Sequence, residues 1–420
     1  LKFNLSLKDY FDGVGKYHLL AFFCCWLGGI FDGMDSTIMS VTLPVAIGEL
    51  LGETTPEKIG SIGSWVTSLF LLGWTLGGFL FGYVSDRFGR IKAMVGSILL
   101  YSLFTGLAGL SENWWQLAAC RFLTGLGIGG ELVSITTFLT EVWPERSRAV
   151  AVGMLISSYQ VGVFLSGILS YGFENWRHCF FVGALPAIIV IFMTLQLKES
   201  HKWEDSQKQV TEDIQVKDIL IKHRHGLIIG SLAFGSLLIG YWASLSWIPS
   251  WIQSLMDGHG HLQRSQATIF QGCGAILGCI SAGVFCSKLG RKVTLIIAFM
   301  GCLLSSILLF ATNPVFSSKI YFECSLLGYF IGLCQSGLYV YLPELFPTLI
   351  RATGTGLCLN IGRFLTILAV LFIGTLVKVF GGYGGAALAF SASYLIGFVT
   401  LFFGRETKDK PLDADFHSAL

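Results

Sequence analysis

The stretch Gly82-Tyr-Val-Ser-Asp86-Arg87-Phe-Gly89-Arg90 returns later in the chain as Gly283-Val-Phe-Cys-Ser287-Lys288-Leu-Gly290-Arg291, with its glycines and final arginine at the same spacing. A second echo joins Glu141-Val-Trp-Pro144-Glu-Arg-Ser-Arg148 to Glu344-Leu-Phe-Pro347-Thr-Leu-Ile-Arg351. Both pairs are offset by roughly 200 residues, the mark of one long unit used twice in parallel.

The sequence between the echoes is apolar. Of 420 residues, 53% are hydrophobic and 13% charged, with a mean hydropathy of +0.67, far from the mix of a soluble globular domain. Apolar runs of about 20 residues separated by short polar turns fit membrane-spanning helices, and the period-2 alternation of a membrane barrel is missing. The expected fold is all-α and integral to the membrane, with twelve transmembrane helices in two six-helix halves. The spans fall at about 18–47, 61–84, 91–110, 115–140, 148–171, 177–197, 227–255, 265–287, 292–312, 319–343, 350–377 and 382–403. The N-terminal half is 1–198 and the C-terminal half 226–420, joined by a polar linker at 199–225.

Charge placement orients the chain. Of 28 Lys and Arg, about 21 fall on the side of the termini and about 5 on the other, so both termini and the linker are expected in the cytoplasm. The net charge of +2 offers no basic surface for nucleic acid. The first apolar run carries Asp32 and Asp35 and further spans follow it, so it does not read as a cleavable signal peptide. The eleven cysteines lie almost wholly in apolar runs without CxxC spacing and read as small buried hydrophobes. No cofactor and no metal site are expected.

Residues Gly82 to Arg90 match the Gly-x-x-x-Asp-Arg-x-Gly-Arg signature of the major facilitator superfamily, which nearly the whole chain resembles. The resemblance implies a transporter, not an enzyme. It makes gating loops of Gly82, Asp86, Arg87, Gly89 and Arg90, together with Glu141, Arg148, Glu344 and Arg351. Asp86 is expected to accept from helix N-termini and from arginines of the opposing half, closing the cytoplasmic side in one state. In the second copy Ser287 replaces the acid, so that latch is expected to be weaker.

Arg121 through Glu131, residues 343–347 with Arg351, and Glu199-Ser200-x-x-Trp203 resemble the proton-coupled organic-acid and sugar porters of that superfamily. The Gly-Gly-Glu ending at Glu131 is similar to sialate and metabolite symporters, and Asp32-Gly33-x-Asp35 to aromatic-acid symporters. These likenesses do not agree on one substrate. Span five reads Tyr159-Gln160-Val-Gly162, where drug exporters carry a Gly-Pro-Gly-Gly type pattern.

An ionised group at bilayer depth costs roughly 3 kcal/mol, so intramembrane charges face a bundle interior or a cavity. At 1.5 Å rise per residue, Asp35 and Arg121 both lie about 28–30 Å from the cytoplasmic ends of their spans, Asp32 about 24 Å, and Gln160, Arg363 and Glu131 about 15–18 Å. The resemblance implies that spans one and four both line a central cavity, so Asp35, level with Arg121, is expected to pair with it there. Asp32, with no cation at its own height, is the first candidate for carrying a transported proton and Glu131 the second, while a helix-packing hydrogen bond is the alternative role for Asp32. Two readings stand for Arg363. It binds a substrate carboxylate with help from Gln160 and Asn360, or it pairs with Glu131 or backbone carbonyls. Tyr241, Trp247 and Tyr339 are candidates for the cavity wall, whereas Trp114, Trp115 and Trp251 fit the membrane interface. Gly73-x-x-x-Gly77 and Gly78-x-x-x-Gly82 suit close helix packing, and Pro249 is positioned to kink its span.

The reading that results is a monomeric symporter of a bacterial-type inner membrane. It couples protons to uptake of a small organic anion, such as a carboxylate or sugar acid, by alternating access. Export of an amphipathic compound, or carriage of a polycarboxylate siderophore, is the alternative within the same fold. A membrane-embedded enzyme would need a catalytic set near one membrane face, and no His-Asp pair or metal-ligand set appears there. A sensor built on the same fold would bind ligand without accumulating it.

Overall fold

The structure, a computed structural model, describes residues 13–52, 55–144, 147–186, 188, 196–199, 222–257, 259–346 and 351–408. The side chains of Asp86, Arg148 and Arg351 lie outside that description, as does most of the linker. In chain order the helices are α1 (Lys16–Leu51), α2 (Pro56–Phe88), α3 (Arg90–Ala108), α4 (Trp114–Val142), α5 (Arg148–Gly172) and α6 (Trp176–Gly183). Then come α7 (Arg224–Ala243), a 3-10 turn (Leu245–Trp247), α8 (Ile248–Leu255), α9 (His261–Leu289), α10 (Arg291–Ala311), α11 (Lys319–Glu344), α12 (Arg351–Leu371), α13 (Ile373–Val379), α14 (Tyr383–Ser391) and α15 (Ser393–Phe403).

Among the described residues eleven helices are long and apolar enough to cross a membrane. The span expected at 177–197 is described chiefly through α6, and residues 189–195 lie outside the description. Three expected spans are interrupted: 227–255 by the 3-10 turn, 350–377 between α12 and α13, and 382–403 between α14 and α15. Pro249 is not the cause of the first break. It sits in the opening turn of α8, where its missing N–H costs nothing, and the chain has already left helical geometry before it.

Membrane helices gain little from hydrophobicity when they meet each other, so they associate by close backbone approach. Here the approach is reciprocal. A Cβ on Gly73 or Gly77 of α2 would overlap the carbonyls of Phe122 or Leu126 on α4, and one on Gly125 or Gly129 of α4 would overlap those of Phe70 or Trp74 on α2. The second set repeats it, with Gly274 and Gly278 of α9 against Ser325 and Tyr329, and Gly328 and Gly332 of α11 against Gln271 and Ala275. Gly78 and Gly82 do not share this role, since a Cβ on either meets only ordinary contacts near 4 Å. The α2–α4 and α9–α11 pairs are the most extensive in the molecule, and α1–α5 is matched by α7–α12.

The two sets of helices meet along α5–α9 and along α2 with α12 and α13. Polar contacts across that seam gather on the face away from the termini. Lys378 Nζ lies 2.8 Å from Glu57 Oε1, the Tyr383 hydroxyl donates to the Pro56 carbonyl at 2.9 Å, and Ser265 Oγ donates to Ser170 Oγ at 3.0 Å. Glycines report the same asymmetry. Toward that face Gly374 presses on Ser61, Gly167 on Ile269 and Gly272 on Phe164, while toward the terminus face Gly153, Gly283 and Gly356 meet nothing within 4 Å among the described residues. The seam is closed on the far face and parted on the terminus face.

Gly77→Val forces α2 off the α4 backbone and is expected to destabilise the protein by about 1–3 kcal/mol. Gly283→Ala, with open space around it, is expected to change little. Thermal unfolding of both variants in detergent checks the pair.

Candidate functional site

The parted seam leads to a cavity enclosing about 800 Å³ out to its mouth, lined from both sets of helices. Asp32, Trp74 and Tyr159 come from the first set, and Tyr241, Trp242, Tyr339 and Arg363 from the second. Aromatic contacts close its inner end: the Trp74 and Trp242 ring centroids are 5.9 Å apart, and those of Tyr159 and Tyr241 6.5 Å.

Glycine spacing puts Asp32 there. A Cβ on Gly29 would overlap the Ser158 side chain and one on Gly33 the Tyr159 carbonyl, so α1 lies against α5 on both sides of Asp32. Gly28 in turn admits the Glu131 carboxyl, which a Cβ would overlap. Asp32 is 1% exposed and Glu131 0%. Their carboxyls and the Tyr101 hydroxyl neighbour and interact with one another, and among the described residues neither carboxyl meets a cation or another well-formed hydrogen-bond partner. The helical rise placed Glu131 well below Asp32. The structure sets them side by side, a correction that follows from α1 running 36 residues, far more than a perpendicular crossing needs.

Asp35 has a different environment. Arg121 Nη1 lies 3.3 Å from its Oδ1, Arg121 Nη2 donates to its backbone carbonyl at 3.1 Å, and Thr105 Oγ1 donates to Oδ1 at 2.8 Å. The guanidinium carbon also sits 4.5 Å from the Phe70 ring centroid. Both partners are fully buried, and neither lines the cavity. This is a buried ion pair inside the first set, separate from the Asp32–Glu131 carboxyls.

Arg363 is on the cavity wall with its guanidinium carbon 5.4 Å from the Trp74 ring centroid. Its Nη1 donates to Asn360 Oδ1 at 3.3 Å. No carboxylate among the described residues pairs with it, Glu131 included, and Glu323 instead neighbours Lys319 at 3.8 Å. Gln160 does not reach the cavity surface. It donates to Gln335 Oε1 at 2.6 Å across the seam, and Gln335 lines the cavity. Trp247 also falls outside, stacked on Tyr383 at 5.7 Å in the far-face seal, because the 3-10 turn carries it away from the face of α7 that bears Tyr241. Trp74, Tyr159, Trp242 and Gln335 were not singled out from the sequence as site residues. The offset of Tyr159 from Gly162 and of Trp74 from Gly78 was the available signal.

On the terminus face each copy of the repeated loop is held inside its own set. Gly89 has φ +115° and Gly290 φ +97°, values that glycine adopts without strain. The Glu199 carboxylate accepts from the backbone N–H of Arg90 at 2.9 Å and of Ile91 at 3.1 Å. Glu406 does the same for Arg291 at 2.9 Å and Lys292 at 3.0 Å. These acids cap α3 and α10. Arg90 pairs with Glu141 at 2.9 Å and Arg291 with Glu344 at 3.0 Å, while Arg87 bonds the Tyr83 hydroxyl. The expected bridge from Asp86 to the opposing half, and any partner of Arg148 or Arg351, lie outside the described side chains.

A family model described as the Major Facilitator Superfamily matches residues 25–365. The chain belongs to that superfamily. Among its relatives within it, the cis,cis-muconate transport protein of Acinetobacter baylyi is 27% identical over 93% of this chain and 95% of its own. The sialic acid transporter of Escherichia coli is 28% identical over 81% and 83%. A solved D-xylose-proton symporter shares the superfamily fold at a TM-score of 0.77 and 18% identity, covering 94% of this chain and 99% of its own.

Burial pushes the Glu406 carboxyl up, but the N–H groups of Lys408, Arg291, Lys292 and Thr407 outweigh it and hold the group below its ordinary value. A lowered folded pKa stabilises above the unfolded value and is lost as pH falls through the folded one. The melting-temperature gap between wild type and Glu406→Gln is therefore expected to be widest near neutrality and to close on acidification. Arg121→Met leaves Asp35 buried without its cation and is expected to cost about 3–5 kcal/mol, measured by the same unfolding assay.

Proposed function

We propose that this chain couples proton movement to uptake of a small organic anion across a bacterial inner membrane by alternating access, with both termini cytoplasmic. One observation carries the reading. Among the described residues, a buried guanidinium with no carboxylate against it, Arg363, and a buried carboxyl group with no cation, Asp32 beside Glu131, line or adjoin one cavity. A guanidinium in that setting calls for a carboxylate, and two adjacent carboxyls are a natural place for a proton to be shared. The names of the relatives, carriers of muconate and sialic acid, agree with an anionic organic substrate.

In this scheme Arg363, held by Asn360 and the Trp74 face, binds the substrate carboxylate, and Gln335 adds a polar contact from the wall. Tyr241 and Tyr339 complete the enclosure. Protonation at Asp32 and Glu131 balances the added negative charge, and the two six-helix halves, divided by the linker at 199–225, then rock about the bound ligand. The terminus-face loops at Gly82–Arg90 and Gly283–Arg291, with Glu141 and Glu344, set the closing geometry.

Arg363→Ala is expected to weaken binding of a responsive carboxylate, identified by thermal-shift screening, by about 10- to 100-fold, the loss of a charged hydrogen bond. Asp32→Asn and Glu131→Gln are expected to abolish accumulation driven by a pH gradient in proteoliposomes while leaving exchange of labelled for unlabelled substrate in place. Gradient-driven accumulation that survives both substitutions sinks the proton assignment, and undiminished binding in Arg363→Ala sinks the anion assignment.

A further inference from the structure

A second arginine is buried without an anion, and no step above uses it. Arg264 sits in the first turn of α9 on the far face and is 2% exposed. Its Nη1 donates to Gln253 Oε1 at 2.9 Å, its Nε has no hydrogen-bond partner, and among the described residues no carboxylate pairs with it. Three terms oppose it in this state. A helix N-terminus repels a cation, burial strips its hydration, and no acid compensates.

Its place on the seam gives it an occasion to be compensated. The adjacent Ser265 bonds Ser170 across the seam at 3.0 Å, and Arg264 is in electrostatic contact with Cys179 of α6, which belongs to the first set of helices. Parting the seam on this face therefore separates Arg264 from Cys179 and wets both. Farther along α9, Thr268 bonds the Arg264 backbone carbonyl within the helix and lines a small, mainly apolar cavity with Thr37, Leu245, Ser246, Pro249 and Gln271. Tyr241 and Trp242 form a wall common to this cavity and the large one that holds Arg363.

We propose that Arg264 is an anion-receiving site at the far-face end of the transport path, taking a carboxylate when the seam parts there. This rests on the alternating-access reading given above. In the far-closed state the site is shut and Arg264, bonded only to the neutral Gln253 amide among the described residues, has no anion, which favours reopening on that side.

Cys179 is a native reporter. Right-side-out vesicles are treated with anionic sulfonatoethyl or cationic trimethylammonioethyl methanethiosulfonate, and modification at Cys179 is followed by mass spectrometry. The anionic reagent is expected to react faster by about tenfold or more, as local charge steers ions, and 50 mM benzoate, roughly the concentration a millimolar site requires, should slow it. Arg264→Gln is expected to remove both the preference and the benzoate protection, and Arg264→Lys to keep the preference. A preference unchanged in Arg264→Gln, or a Cys179 that neither reagent reaches from the far face, overturns the proposal. Arg363→Ala run in parallel separates the two claims. If it binds carboxylate normally, the central-site reading fails while the Arg264 result stands on its own; if it loses binding while Arg264→Gln shows no change at Cys179, only the far-face site fails.

Discussion

A charge carried into hydrocarbon must be compensated or have access to water, and the interior of this protein is arranged around how each charge meets that demand. Asp35 and Arg121 satisfy each other, with Thr105 and the Phe70 ring completing the enclosure. Their pairing ties α1 to α4 inside one set of helices and leaves them nothing to exchange with a cavity. Asp32, Glu131 and Arg363 do not satisfy one another. In the proposed scheme their partners arrive from outside, through the cavity that Asp32 and Arg363 line.

Movement follows from where backbones are in contact and where they are not. Within each set, glycine-to-carbonyl packing leaves no slack, so α2–α4 and α9–α11 behave as fixed pairs. Between the sets the close backbone approaches, Gly167 on Ile269, Gly272 on Phe164 and Gly374 on Ser61, gather with the polar bonds toward one face. In the proposed alternating access such a seam would open by rigid-body motion without unpacking a helix pair. Glu199 and Glu406, each capping the helix that starts its repeated loop, keep the terminus-face ends rigid while the seam changes.

The repeat was legible because Gly89 and Gly290 need a backbone that glycine supplies, and such a requirement leaves an echo in the sequence. The helical class was legible from hydropathy for the same reason that membranes admit little else. Asp35 with Arg121 was legible from depth together with the family resemblance, although the pair is buried inside one set and does not line the cavity as the resemblance implied. The Asp32–Glu131 contact was not. Rise per residue measures distance along each helix, and neither the tilt of α1 nor the gap that Gly28 opens for Glu131 shows in that coordinate. Trp247 was misplaced for a related reason: a 3-10 turn before Pro249 rotates the face of the span, and helical periodicity carried through it gives the wrong side. Gln335 was hidden by its partner, Gln160, which was visible as a polar residue in an apolar run but turns out to hold the residue that reaches the cavity.

The central claim is that an anion at Arg363 and a proton at the Asp32–Glu131 carboxyls enter the cavity together. Calorimetric titration of the tightest-binding carboxylate into the purified protein, repeated at one pH in two buffers of different ionisation enthalpy, measures that linkage directly. The account predicts that the apparent binding enthalpy differs between buffers by an amount equal to uptake of about one proton per anion, as binding linkage requires. Identical enthalpies in the two buffers would contradict it.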